Sequence, residues 1–201
     1  MYYLCENGSV CAQGGQVAKV TPIPDAWSRE MIADLQGFSL NLLLSTPHYA
    51  YVLDANPAFV ERIAGQLRNT VHVIRDCSEI LGPLNKISGY STDLNAMEAT
   101  AKALGPKWGA KANAVLAGKH WFDITLTNKS HGIRWLCEQL HISPAEAAAF
   151  GDYYNDLPML ELVGHPYLME NAPNDLKRLG FTPCRSVPEV IRRLLAEIKE
   201  G

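Results

Sequence analysis

The chain has 201 residues, of which 47% are hydrophobic and 19% are charged, and 18 basic against 21 acidic residues leave a net charge of −3. This composition excludes intrinsic disorder and a coiled coil, and a chain of this length can bury a sizeable core. Because basic residues are not in excess, nucleic acid is not expected as a partner. We also expect neither membrane insertion nor secretion, because no apolar run approaches about 18 residues and no signal-peptide pattern begins the chain.

The five cysteines are scattered along the chain and form no C-x-x-C pair; they are Cys5, Cys11, Cys77, Cys137 and Cys184. This pattern predicts neither a disulfide framework nor a zinc site. We therefore expect the protein in the reducing cytoplasm.

Up to about residue 126, the pattern predicts short strands alternating with three helices, and roughly residues 13 to 120 are typical of a mixed α/β unit of their own. The predicted strands span residues 2–5, 9–12, 16–21, 38–44, 49–53, 70–75, 86–90, 114–116 and 121–126. The first predicted helix spans 25–36, the second begins at Asn56-Pro57, and the third spans 93–104 and ends at Gly105-Pro106.

From residue 128 the strands and helices alternate more regularly. Strands are predicted at 147–150 and 166–169, and helices at 130–140, 157–163, 172–179 and 187–199. Alternation of this kind predicts a parallel sheet covered by helices.

The most informative segment is AFGDYYNDLPML at residues 149–160, where an apolar strand leads into Asp152, Asn155 and Asp156. In open parallel sheets, ligands bind at the carboxyl ends of the strands. Oxygen ligands grouped at such an end suit Mg²⁺. The same residue types also begin helices, so Asp156 would serve equally well as a simple cap of the helix that follows. Spacing alone leaves both interpretations open.

This segment resembles the GDxxNDxxML motif of the haloacid dehalogenase (HAD) superfamily, in its Cof-type branch of sugar-phosphate phosphatases. Three further segments resemble that family in order: CENG at 5–8, NKS at 128–130 and MENA at 169–172. The resemblance implies an α/β fold with a partial Rossmann-like core, a parallel sheet with flanking helices, and a mixed α/β cap domain. Residues 1–12 and 121–201 would then belong to the core and residues 13–120 to the cap.

The resemblance also implies Mg²⁺-dependent hydrolysis of a small phosphorylated metabolite through an aspartyl-phosphate. Asp152 would be the direct Mg²⁺ ligand, with Asp156 as a carboxylate behind it. Asn155 would contact the substrate phosphate. Lys129 would neutralise the nucleophile and the transferred phosphoryl group, which makes it the catalytic residue; an isolated lysine at a helix start is otherwise a solvated surface residue.

One departure from the family stands out: the D-x-D-G-T segment, which supplies the nucleophile and the general acid, occurs nowhere in the 201 residues. We therefore expect no nucleophile in this chain, a truncated core lacking a strand–helix–strand unit of roughly 30 residues, and no activity of the chain alone. The alternative is a non-catalytic remnant that binds phosphate ligands or a partner chain. An open core edge would also favour self-association.

Overall fold

A computed structural model describes residues 1–67 and 71–200. In chain order, the strands within this part are β1 (Tyr2–Cys5), β2 (Val10–Gln13), β3 (Gln16–Val20), β4 (Asn41–Ser45), β5 (Ala50–Leu53), β6 (Val71–Ile74), β7 (Lys86–Tyr90), β8 (Asn113–Leu116), β9 (Trp121–Thr125), β10 (Ala148–Gly151), β11 (His165–Met169) and β12 (Thr182–Cys184). The helices are α1 (Asp25–Gln36), α2 (Pro57–Leu67), α3 (Leu94–Gly109), α4 (Lys129–Leu140), α5 (Leu157–Leu160), α6 (Asn174–Lys177) and α7 (Val187–Glu200).

The described strands pair into three sheets. A small antiparallel sheet has the order β1-β2-β3, a larger mixed sheet has the order β6-β5-β4-β7-β9-β8, and a parallel sheet has the order β10-β11-β12. The predicted α/β class is confirmed, including the parallel sheet near the C-terminus. The start predicted at residue 70 for β6 lies outside the described residues.

Helix α3 is longer than predicted, because it runs through Gly105-Pro106 to Gly109. Trp108, in the added turn, is 1% exposed, and its indole N–H donates a hydrogen bond of 2.9 Å to the Asp34 carboxylate. Burying a large aromatic side chain stabilises a fold by about 3 kcal/mol. This stabilisation is comparable to the cost of a proline inside a helix. Tertiary packing of Trp108 therefore overrides Gly105-Pro106 as the local signal for the end of the helix.

Strand β12 was not predicted from the sequence, and it contains Pro183. Among the described strands it pairs with β11 alone, with Pro183 opposite Leu168. Proline is tolerated in such an edge strand because one side of it makes no ladder hydrogen bonds. Helices α5 and α6 are also shorter than predicted.

Strand pairing crosses both of the predicted domain boundaries. β3 pairs with β2, and β9 pairs with β7 and β8 in the six-stranded sheet. The domain division stays a prediction, but a boundary placed after Thr125, and not after residue 120, keeps that sheet whole.

One face of the six-stranded sheet packs against α1 and α3. The other face carries a smaller apolar cluster that packs against α2. On β7, Ile87 points to the core with α1 and α3, so Lys86 and Ser88 lie on the opposite face. Asp123 of β9 stands directly across from Ser88 on that face. At the same end of the sheet, β8 packs against the turn at residues 154–156. The sheet thereby presents polar side chains near the loop that follows β10.

Gly8 allows the turn after β1 to pack against the start of α4. Its φ is +82°, and a Cβ atom placed on it would lie 2.7 Å from the carbonyl oxygen of Asn128. We expect Gly8→Ala to lower the free energy of unfolding by about 3 kcal/mol, since left-handed strain and overpacking add. Gly14→Ala is the matched control, because Gly14 has a φ of +59° and open space around it. Urea unfolding should show a loss of about 1 kcal/mol for the control, and equal losses would contradict the packing argument.

Within residues 1–67 and 71–200, no helix combines the length and the apolar character needed to cross a bilayer.

Candidate functional site

The loop that follows β10 is organised by Asp156, whose residue is 4% exposed. Its Oδ2 accepts hydrogen bonds from the backbone N–H groups of Asp152, at 2.8 Å, and Tyr153, at 3.1 Å. Gly151 makes room for this carboxylate, since a Cβ atom at position 151 would lie 2.5 Å from the Cβ of Asp156. Asp156 therefore folds the loop into a tight turn and lies behind Asp152.

Lys129 reaches the same carboxylate from the start of α4. Asn128 caps this helix, accepting a hydrogen bond of 3.0 Å from the backbone N–H of Ser130. The Lys129 ammonium forms an ion pair with Oδ1 of Asp156, and 34% of the lysine side chain stays exposed. Lys129 thus presents part of its charge to solvent beside the loop, while Asp156 holds it in place.

Asp152 is exposed at the carboxyl end of β10, and its Oδ2 accepts a hydrogen bond of 2.9 Å from the side chain of Asn171. Asn171 belongs to the MENA segment, to which the sequence analysis gave no role. The sequence position of this segment, directly after the next parallel strand, was the signal that could have placed it here.

Asn155 turns toward a residue that is 148 positions away in the chain. Its Nδ2 lies 3.4 Å from Oδ1 of Asn7, and Nδ2 of Asn7 donates a hydrogen bond of 2.9 Å to Oδ2 of Asp123. The Asn7 backbone has a φ of +55°, next to Glu6 with a φ of +51°. Two consecutive non-glycine residues in the left-handed region indicate a strained turn that the surrounding contacts maintain.

A buried charge cluster lies next to this chain of amides. The Lys86 ammonium is 2.5 Å from Glu6 Oε2 and 3.8 Å from Asp123 Oδ2, and the Ser88 hydroxyl donates to Asp123 Oδ1 at 2.7 Å. Burial lowers the pKa of Lys86, but the carboxylates of Asp123 and Glu6 outweigh burial and raise the pKa above its ordinary value. The lysine is therefore charged at neutral pH.

Sequence reasoning missed Lys86 and Asp123 as residues of this region. Each is a charged residue in a strand that is otherwise mostly apolar or neutral, KISGY and WFDIT. A charge on a predicted buried strand needs a partner, and this was the signal available in the sequence.

Tyr154 ties the loop to α6. Its hydroxyl donates a hydrogen bond of 2.7 Å to Asp175 Oδ2, which raises the pKa of Tyr154 to about 12 and lowers the pKa of Asp175. The loop is thus anchored on one side by α4 and on the other by α6.

A family model described as haloacid dehalogenase-like hydrolase matches residues 1–180. The chain belongs to this family. The resemblance drawn from the four sequence segments is confirmed, and the homologues of this HAD-like hydrolase include phosphatases.

Three similar proteins illustrate the relationship. A kanosamine-6-phosphate phosphatase of Bacillus subtilis (strain 168) is 38% identical over 53 residues, which are 26% of this chain and 19% of that protein. A haloacid dehalogenase-like hydrolase from Bacteroides thetaiotaomicron has a TM-score of 0.76 at 18% identity, covering 96% of this chain and 76% of that one. A HAD subclass IIB sugar phosphatase has a TM-score of 0.79 at 17% identity, and the match covers 96% of this chain and 75% of that one. The chain thus spans about a fifth of the first protein and three quarters of the two structures.

The residues of this HAD-like chain fit Mg²⁺ only in part. Within the described ranges, no group of three or more His, Cys, Asp and Glu side chains converges as a metal site. Asp152 offers one carboxylate whose Oδ1 accepts no hydrogen bond from the part of the chain that the structure describes. Asp156, in contrast, is occupied by Lys129 and two backbone N–H groups. Because Mg²⁺ is commonly bound by one or two carboxylates with phosphate and water completing the octahedron, Asp152 suits a metal that arrives with phosphate.

Proposed function

We propose that this chain binds the phosphate group of small sugar-phosphate metabolites, together with Mg²⁺, and does not hydrolyse them by itself. The observation that carries the proposal is the convergence of Lys129, Asn155 and Asp152 around one loop at the carboxyl end of β10. The sugar-phosphate class is supported by the names of two similar proteins, a kanosamine-6-phosphate phosphatase and a sugar phosphatase.

The charges around the loop favour this ligand. Lys129 and the amide of Asn155 supply hydrogen-bond donors, and charge-assisted donors bind phosphate most strongly. The Asp152 carboxylate by itself would repel a phosphate. A cation between the two negative groups would remove this repulsion. We therefore assign the Mg²⁺ to Asp152. Asp156 would not bind the metal directly, but would hold the backbone of the loop and the Lys129 ammonium in place.

The absence of hydrolysis is proposed from the sequence. The family reaction needs a nucleophilic aspartate and a general acid, and the 201 residues contain no D-x-D-G-T segment that would supply them. The truncated core expected from the same observation stays a prediction. What this chain's own residues do is hold the anion and the metal at the edge of a parallel sheet.

The expected self-association also stays a prediction. Within the described residues, β10 has β11 as its one strand neighbour, and an edge of this kind pairs readily with strands of another chain. The cytoplasmic location rests on the cysteine pattern alone.

Lys129→Ala is expected to weaken binding of inorganic phosphate in the presence of Mg²⁺ by about tenfold or more, because a hydrogen bond to a charged group contributes about 1.5–3 kcal/mol. Isothermal titration calorimetry measures the dissociation constant. Lys102→Ala removes the same charge from an exposed position on α3 and should bind phosphate as the unchanged chain does. Equal affinities in all three proteins would rule out Lys129 as a phosphate ligand.

A further inference from the structure

We infer that Asp123 is a positioning residue of the phosphate site, acting through the side-chain amide of Asn7 on Asn155. The inference rests on the proposed phosphate binding and adds a residue from the six-stranded sheet to that site. It follows from a chain of hydrogen bonds in which Asn155 contacts Asn7, and Asn7 contacts Asp123.

An ionised carboxylate only accepts hydrogen bonds, whereas a side-chain amide has one donor end and one acceptor end. The carboxylate of Asp123 therefore dictates that the Nδ2 end of Asn7 faces it, at 2.9 Å. The Oδ1 end of Asn7 then has to face Asn155, where it lies 3.4 Å from Nδ2. Asn155 is thereby held with its donor group toward Asn7, and the second N–H of the same group is left for an anion.

Asp123 itself has little freedom to turn. It is 5% exposed, its Oδ1 accepts a hydrogen bond of 2.7 Å from the fully buried Ser88 hydroxyl, and Lys86 lies 3.8 Å from its Oδ2. Since Ser88 and Asp123 stand opposite each other on paired strands, the sheet fixes the direction of the carboxylate.

The backbone of Asn7 is held by other contacts. The Thr127 hydroxyl donates to the carbonyl oxygen of Asn7 at 3.2 Å, and the neighbouring Glu6 pairs with Lys86 at 2.5 Å. Removing the Asp123 carboxylate therefore releases the amide of Asn7 more than its backbone. A released amide can turn its donor end toward Asn155, which would then rotate and present an acceptor oxygen to the phosphate.

The test is a double-mutant cycle with Asp123→Ala and Asn7→Ala, read as the dissociation constant for inorganic phosphate with Mg²⁺. We expect each single variant to bind about tenfold more weakly and the double variant to bind no more weakly than either, because both changes act through one contact. Thr100→Ala, which removes a buried hydroxyl that donates to the backbone of α3, controls for a general loss of stability and should stay within about twofold of the unchanged chain.

A second readout is the NMR signal of the side-chain amides. The ¹⁵N–¹H signals of Asn7 and Asn155 should shift in Asp123→Ala and not in Thr100→Ala, which a merely structural role of Asp123 would not produce. If Asp123→Ala does not fold, Asp123→Asn takes its place and should bind phosphate a few-fold more weakly, since its single oxygen is shared among three donors.

The outcomes separate the inference from the proposed function. If the unchanged chain binds phosphate and Asp123→Ala, or its substitute, binds equally well, the inference is wrong and the phosphate site stands. Losses of phosphate affinity that add up in the double variant would likewise overturn the inference. If the unchanged chain binds no phosphate, the proposed function fails and the inference fails with it.

Discussion

Asp156→Ala is expected to lower the free energy of unfolding by about 3–5 kcal/mol and to abolish phosphate binding. The change leaves two backbone N–H groups of the loop without an acceptor, and each such loss costs about 1–3 kcal/mol when the group is shielded from water. It also leaves Lys129 without its ion-pair partner. Urea unfolding measures the stability, and calorimetry measures the binding.

Asp152→Ala is the matched control for this variant, because it removes a carboxylate from the same loop. Asp152 is exposed, and among the described residues its carboxylate makes one hydrogen bond, to Asn171, so we expect a stability loss below about 1 kcal/mol. Its phosphate affinity should lose the dependence on Mg²⁺. A stability loss as large as that of Asp156→Ala would show that the loop is not organised by Asp156.

Lys86→Met is expected to lower the free energy of unfolding by about 3–5 kcal/mol, since removing one partner leaves buried carboxylates uncompensated. The lysine side chain is 17% exposed, and that of Asp123 is 7% exposed. Lys107→Met is the control, because Lys107 also bridges two carboxylates, Glu30 and Asp34, but is 44% exposed. An exposed pair of this kind contributes about 0–1 kcal/mol, so equal losses would contradict the account of the buried cluster.

The pH dependence of stability gives a second check on Lys86. Its pKa in the folded chain is raised above the ordinary 10.5, so its contribution is fully present below that pH and is lost as the pH rises toward the folded value. The alkaline decline in stability should therefore be smaller in Lys86→Met than in the unchanged chain. An identical decline in both proteins would show that Lys86 gains no proton affinity on folding.

Local patterns predicted much of the fold. Helix α1 and strand β7 have the predicted bounds, because helical spacing of apolar residues and a short strand-forming run bounded by turns are local signals. The predicted bounds were wrong, or a strand was missed, where contacts between residues far apart in the sequence determine the structure. Trp108 holds α3 past Pro106 through Asp34, and β12 exists because β11 offers it an edge.

The residues of the candidate site likewise fall into a part that local sequence predicts and a part that it does not. Asp152, Asn155 and Asp156 lie in one continuous segment, so their grouping after β10 could be predicted from the sequence. Lys86 and Asp123 lie on separate strands whose register brings them together. No sequence spacing encodes that register, which depends on how the whole six-stranded sheet pairs.

The central claim is that the chain binds phosphate with Mg²⁺ and does not turn over a phosphomonoester. The most direct measurement is a calorimetric titration of the purified chain with inorganic phosphate, with and without Mg²⁺, alongside an assay of p-nitrophenyl phosphate hydrolysis on the same sample. We predict saturable phosphate binding that strengthens with Mg²⁺ and no release of p-nitrophenol. Hydrolysis that disappears in Asp152→Ala, or a titration that shows no phosphate binding, would contradict the claim.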